Sequence, residues 1–94
     1  MAKTVVIKDG IVDNNYIRVI CEEEHDYDHT SGYIVLINKV YKLQIKIHGF
    51  LLSKYHTIKS FKFNISDSNA DELAKNEAIE VFNYLINPYK HGEL

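Results

Sequence analysis

The stretch that decides the fold is YIVLINKVYKLQIKIH, residues 33–48, in which apolar and polar side chains alternate along its second half. Alternation with a period of two is typical of β-strands with one buried face. We predict two strands, 33–37 and 40–48, joined by a turn at Asn38-Lys39, because asparagine tolerates the left-handed conformation of a two-residue hairpin. One face of this hairpin then carries the core side chains Ile34, Leu36, Tyr41, Leu43, Ile45 and Ile47.

Alternation on either side of this stretch extends the sheet. Residues 4–8 and 16–22 are predicted to be strands, with a hairpin turn at Asp9-Gly10 and a second turn at 13–15. Residues 57–65 alternate again. The side chains predicted to point inward from these strands are Ile17, Val19, Cys21, Phe61, Phe63 and Ile65.

After residue 69 the apolar period changes to that of a helix. The residues that recur at helical spacing are Ala70, Leu73, Ala74, Ala78, Val81, Phe82 and Leu85. Several N-cap candidates lie at 66–69, two acids occupy the first turn, and Asn87-Pro88 is predicted to end the helix. The sequence therefore predicts an α+β fold: an antiparallel meander of four to five strands with one C-terminal α-helix packed on one face. We expect a single domain over 1–94, with a flexible tail at 88–94.

Composition indicates a cytoplasmic protein. The chain has one cysteine, Cys21, which excludes an internal disulfide framework and suits a reducing compartment. No apolar run approaches the roughly 18–20 residues of a membrane span. Ile, Lys, Asn, Tyr and Phe make up 41 of the 94 residues, which indicates an AT-rich genome of the kind found in low-GC bacteria, their phages and some viruses.

Charge is sorted along the chain. Residues 30–66 hold six lysines and no acid, whereas 22–28 hold five acids in seven residues. We predict from this a molecule with one basic and one acidic side. The acidic segment, interpreted as an exposed loop, supplies the candidate partner-binding residues Glu22, Glu23, Glu24, Asp26 and Asp28.

The outer face of the predicted sheet gives an alternative site. Cations interleaved with aromatic side chains suit single-stranded nucleic acid, since phosphates need charge and bases need a stacking surface. The candidate residues are Arg18, Lys42, Lys46, Lys62, Tyr16 and Tyr33. Lysines on the wet face of a sheet also serve solubility alone, and an acidic protein surface is a further possible partner.

Catalytic and metal chemistry find little support in the sequence. His25 and His29 flank two aspartates, but two histidines four residues apart converge only on a helix, so we expect no metal site. Cys21 alternates in register with core residues, and the four glycines stand apart from one another, so no phosphate-cradling loop is present. We therefore expect neither an enzyme nor a cofactor.

Three functions remain open. The leading hypothesis is a small non-enzymatic binding protein, a phage or mobile-element accessory that docks on a host nucleic-acid-processing or defence protein and inhibits it, as anti-CRISPR and anti-restriction proteins do. The alternatives are a single-stranded nucleic-acid-binding protein that uses the basic sheet face, and a structural homo-oligomer of a viral or bacterial assembly. The strand at 33–37 is apolar on both faces, which favours a homodimer or another interface.

Overall fold

A computed structural model describes residues 2–46 and 54–87. The elements are β1 (Ala2–Val12), β2 (Asn15–Asp28), β3 (Tyr33–Lys46), β4 (His56–Lys62) and α1 (Ala70–Ile86). The four strands form one antiparallel sheet in the order β1-β2-β3-β4, and α1 contacts all four. The predicted α+β meander with a C-terminal helix on one face is confirmed, and the sheet has four strands.

The core lies between α1 and one face of the sheet. Its buried members are Ile17, Val19, Cys21, Tyr41, Leu43, Phe61, Ala74, Ala78 and Phe82. The small residues Ala74 and Ala78 let the helix approach the strands closely, while Phe82 fills the end of the layer near β1. The predicted inward residues of β2 and β4 are thus largely confirmed, except that Ile65 and the helix residue Leu73 are substantially exposed.

Two predicted turns are wrong. β1 runs without a break through Asp9-Gly10, and the first hairpin turns at Asp13 and Asn14, whose φ angles are both positive. β3 likewise runs through Asn38-Lys39 as a single strand, because both residues pair with β2 opposite Glu24 and Glu23. The end of the predicted strand at 47–48 and the predicted tail at 88–94 lie outside the described residues.

The acidic segment is a strand rather than a loop. β2 continues to Asp28, and the turn that follows occupies only 29–32, with Gly32 at a positive φ of 79°. Asp28 closes this turn by accepting hydrogen bonds from the backbone N–H of Thr30 and the hydroxyl of Ser31. The prediction failed here because these residues lack apolar alternation of their own, and their strand conformation comes from pairing with the apolar start of β3.

Candidate docking arm and the charged sheet face

The distal part of the β2–β3 hairpin projects beyond the rest of the sheet. β1 pairs with β2 only as far as Glu24, and β4 pairs with β3 only from Val40 onward. Residues 25–37, which we name the arm, therefore pair only with one another among the described strands. The molecule is accordingly elongated and thin, with extents of 52 × 39 × 15 Å.

The arm exposes many apolar side chains for its size. Large apolar residues that are at least about one-third exposed are Tyr27, Tyr33, Ile34, Val35, Leu36 and Ile37. Tyr33 is the most exposed of them, at 73%. The prediction that both faces of the 33–37 strand are apolar is correct, but the prediction that Ile34 and Leu36 belong to the core is wrong, because neither face is covered by another described element. A two-stranded hairpin is marginally stable alone in water, so such a surface is typical of an interface.

Carboxylates of β2 divide between the two faces of the sheet. Glu22, Glu24, Asp26 and Asp28 occupy alternate positions on the face opposite α1, which we call the outer face. Glu23 lies on the helix side, where its Oε1 is 2.9 Å from Nε2 of His25 and its Oε2 is 3.8 Å from Nζ of Lys39. The contact with His25 holds the pKa of Glu23 below its usual range.

The acidic and basic candidates do not occupy separate sides of the molecule. Glu22 forms an ion pair with Lys42 on the outer face, at 2.6 Å between Oε1 and Nζ. Lys39 lies on the helix side of the sheet, where its Nζ donates a hydrogen bond to Asp71 of α1 at 2.9 Å. This hydrogen bond raises the pKa of Lys39. The predicted separation of acidic and basic residues onto different sides is thus wrong at the centre of the sheet. On the outer face, the acids lie toward the arm and the cations lie toward the other end of the sheet.

Three outer-face carboxylates have no cation within ion-pair distance among the described residues. Glu24, Asp26 and Asp28 form this group, which we call the acidic row. Successive members are two residues apart on one strand, roughly 7 Å. Hydrogen bonds from the Thr30 backbone and the Ser31 hydroxyl hold the pKa of Asp28 below its usual range, so that it is charged at neutral pH. A depression of about 240 Å³ lies at the base of the arm, lined in part by Glu22 and Glu24.

The basic candidates are largely engaged within the chain. Arg18 donates to Gln44 at 2.9 Å, and its guanidinium stacks on the Tyr55 ring at 3.7 Å from the ring centroid. Gln44 in turn donates to Thr57, so one polar chain crosses three strands of the outer face. Lys46 lies 5.7 Å from the same Tyr55 ring. Sequence reasoning missed Tyr55, because the segment around it carries no clear period.

The other nucleic-acid candidates lie far apart on the outer face. Tyr16 pairs with Lys46 near the end of the sheet away from the arm, whereas Tyr33 pairs with Asp28 at the arm's tip. Lys62 is exposed on β4 beside Val40. Tyr33 is therefore next to a carboxylate rather than a cation, and the structure does not gather the six residues into one patch.

Potential metal ligands are also held apart. His25 faces the helix side of β2 and contacts Glu23, while Asp26 faces the outer side. His29 packs edge-on against Tyr27 with ring centroids 4.9 Å apart. Within residues 2–46 and 54–87 no three His, Cys, Asp or Glu side chains form a group that could hold a metal ion. Cys21 is buried, and burial raises the pKa of its thiol.

Comparison with protein-family models, with curated proteins and with solved structures found no significant match. In the described part of the chain, α1 is neither long nor apolar enough to cross a membrane. The candidate site therefore depends on its own geometry: an apolar arm with an acidic row along one face.

Proposed function

We propose that the protein is a small non-enzymatic binding protein that docks its arm on a basic surface of a larger protein. The single observation that carries this proposal is the acidic row, Glu24, Asp26 and Asp28, which begins at the base of the arm and continues along it beside exposed apolar residues. Apolar contact area provides affinity, and a line of carboxylates without an ion pair among the described residues provides steering toward a positively charged partner.

A surface of this kind suits a partner that itself binds nucleic acid. Nucleic-acid-processing proteins present clefts lined with lysine and arginine, and carboxylates on a rigid strand are able to compete with phosphates for those cations. We propose on this basis that the protein is a cytoplasmic phage or mobile-element accessory that inhibits a host nucleic-acid-processing or defence protein. The AT-rich composition supports this source.

The test compares two charge-matched variants. Glu24→Gln/Asp26→Asn/Asp28→Asn removes the acidic row, and Glu72→Gln/Glu77→Gln/Glu80→Gln removes the same number of exposed carboxylates from α1. Affinity capture from the source cell supplies the partner, and its titration against each purified variant gives the affinity. We expect the arm variant to lose at least about tenfold in affinity at low salt, while the helix variant binds like the wild type. Equal affinities for both variants would contradict the proposal.

Direct binding of single-stranded nucleic acid is the second candidate function, supported by the exposure of Lys62 on the outer face. It predicts binding of a labelled single-stranded oligonucleotide that weakens steeply with salt and is lost in Lys46→Glu/Lys62→Glu. The engagement of Arg18 with Gln44 and Tyr55, and of Lys42 with Glu22, favours the docking proposal instead. Anisotropy of the labelled oligonucleotide separates the two functions, because an acidic docking protein leaves it unbound.

A further inference from the structure

The edge of β3 within the arm carries a feature that the docking proposal does not use. From Tyr33 to Ile37 the strand is apolar and uncharged, and among the described strands none pairs with the edge that faces away from β2. β4 ends at Lys62, opposite Val40, so its pairing with β3 stops before this edge begins. An uncharged apolar edge strand is a template for pairing with another strand.

We infer that this edge is the interface between two copies of the chain, with β3 of one copy pairing antiparallel with β3 of the other about a two-fold axis near Val35. In that register Val35 of one copy lies opposite Val35 of the other, and Tyr33 of each copy lies opposite Ile37 of the other. The two arms then form one four-stranded sheet, in which apolar side chains of the two β3 strands contact one another laterally on both faces.

The distribution of charge selects the β3 edge rather than the β2 edge. Pairing two β2 strands would place Asp26 and Asp28 of one copy beside the same carboxylates of the other, and like charges across a pair are destabilising. Pairing two β3 strands puts the acidic rows on the two outermost strands. At about 4.8 Å between neighbouring strands, they then lie about 14 Å apart.

Charge complementarity at the ends of the interface favours a second copy over an unrelated strand. The two-fold axis is perpendicular to the sheet, so the outer faces of both copies lie on the same side. Lys62 projects from the outer face at the row of Val40, three residues from Ile37. Tyr33 of the second copy lies opposite Ile37, and its neighbour Asp28 is then roughly 10 Å along the strand direction from Lys62. A lysine and an aspartate side chain together span most of this distance.

The symmetric β3–β3 pairing is also favoured because it forms a closed dimer. If β3 of one copy paired with β2 of the next, each added copy would leave a new free edge, and growth would continue as a fibre. The symmetric β3–β3 pairing uses the same edge of both copies and stops at two. This inference does not rest on the docking proposal, since the acidic rows stay exposed in the dimer.

The first experiment measures mass by light scattering across a dilution series. We expect the wild type to approach twice the 10.9 kDa of one chain at the higher concentrations. Val35→Asp/Asp26→Asn places two carboxylates opposite one another across the two-fold axis, while the asparagine avoids a like charge opposite the new aspartate within each copy. This variant should give one-chain mass throughout, with the unfolding midpoint of the monomer retained because Val35 lies outside the core. Ile58→Asp/Asp26→Asn, which changes an exposed apolar residue on β4 instead, should dimerise like the wild type.

The second experiment tests the register of the β3–β3 pairing by disulfide cross-linking of introduced cysteines under oxidising conditions. The buried Cys21 is retained in every variant. In Val35→Cys the two new thiols lie on residues directly opposite each other, about 5 Å apart at Cα, which suits a disulfide. We expect a covalent dimer from Val35→Cys and none from Tyr27→Cys, whose positions lie on the outermost strands. A one-chain mass for the wild type at every dilution, a Val35→Asp/Asp26→Asn variant that still dimerises, or equal cross-linking of both cysteine variants would overturn the inference.

Discussion

The hydroxyl of Tyr41, in the middle of β3, donates a hydrogen bond to Asp71, in the first turn of α1, at 2.5 Å. Asp71 also accepts a hydrogen bond from Lys39, so one carboxylate fixes the start of the helix to two positions on a single strand. Its placement near the helix N-terminus is favourable for a negative charge. Burial and this hydrogen bond raise the pKa of Tyr41, which keeps its hydroxyl a donor.

Tyr41→Phe tests the strength of this connection. The change removes only the hydroxyl, and we expect the free energy of unfolding to fall by about 1–2 kcal/mol, as for a hydrogen bond to a charged group that is partly solvated. Urea denaturation measures the change. Tyr33→Phe removes a hydroxyl from an exposed tyrosine of the arm and should alter stability by no more than about 0.5 kcal/mol. An equal effect of both changes would show that the Tyr41–Asp71 contact contributes nothing.

The same carboxylate predicts how stability depends on pH. The hydrogen bonds from Tyr41 and Lys39 hold the pKa of Asp71 below its usual range in the folded protein. Its contribution is therefore fully present above the unfolded pKa of about 3.9 and is lost as the pH falls through the lower folded pKa. We expect Asp71→Asn to be less stable than the wild type at pH 7, and the difference to shrink below about pH 4.

Urea midpoints at several pH values measure this difference. Glu72→Gln removes a carboxylate from the same helical turn without touching Tyr41 or Lys39, and its effect at pH 7 should be the smaller one. A difference between Asp71→Asn and the wild type that grows as the pH falls would contradict the expected sign.

Gly10 packs closely against the C-terminal end of α1. A Cβ atom added there would lie 2.9 Å from Cδ1 of Ile86 and 3.2 Å from Cζ of Phe82, at the C-terminal end of α1. We expect Gly10→Val to destabilise the protein by about 1–3 kcal/mol through overpacking, measured by urea denaturation. Adding Ile86→Ala should restore part of the loss because it removes the nearest atom. No loss in the single variant, or no rescue in the double one, would refute this explanation.

The first hairpin depends on two residues with positive φ. Asp13 and Asn14 have φ angles of 50° and 66°, as in a type I′ turn. We expect Asn14→Ala to lower the unfolding free energy by about 1 kcal/mol, because alanine is strained in the left-handed region. Asn14→Gly has no Cβ and should be at least as stable as Asn14→Ala. Thermal unfolding of the two variants side by side gives the comparison, and a more stable Asn14→Ala would show that the turn adopts another conformation.

Sequence patterns predicted the fold class well because the core follows them. Ile17, Val19 and Cys21 alternate on β2 and are buried. The helix ends at Ile86, with Asn87 as the C-cap directly before the proline, as predicted. The sequence could not separate a hairpin at Asn38-Lys39 from a continuous strand, since both keep the local alternation. Pairing of Asn38 and Lys39 with Glu24 and Glu23, distant in sequence, decides between them.

The candidate site was predicted only in part for the same reason. The five acids from Glu22 to Asp28 were predicted to lie on one exposed loop, and a loop gives no reason to divide them between faces. Their alternation on β2 leaves Glu24, Asp26 and Asp28 in one row and sends Glu23 to the opposite side. The ion pair between Glu22 and Lys42 likewise depends on the register in which β2 and β3 pair. Counting charges along the chain gives no information on that register.

β2 and β3 are each 14 residues long and run from the core to the tip of the arm without interruption. The projecting half of each strand is therefore a direct continuation of the packed half. The register shift of β3 at Ile37 lies at the base of the arm, and a bulge there bends the strand locally. A partner that contacts the tip is thereby connected to the buried core through two strands, without an intervening loop.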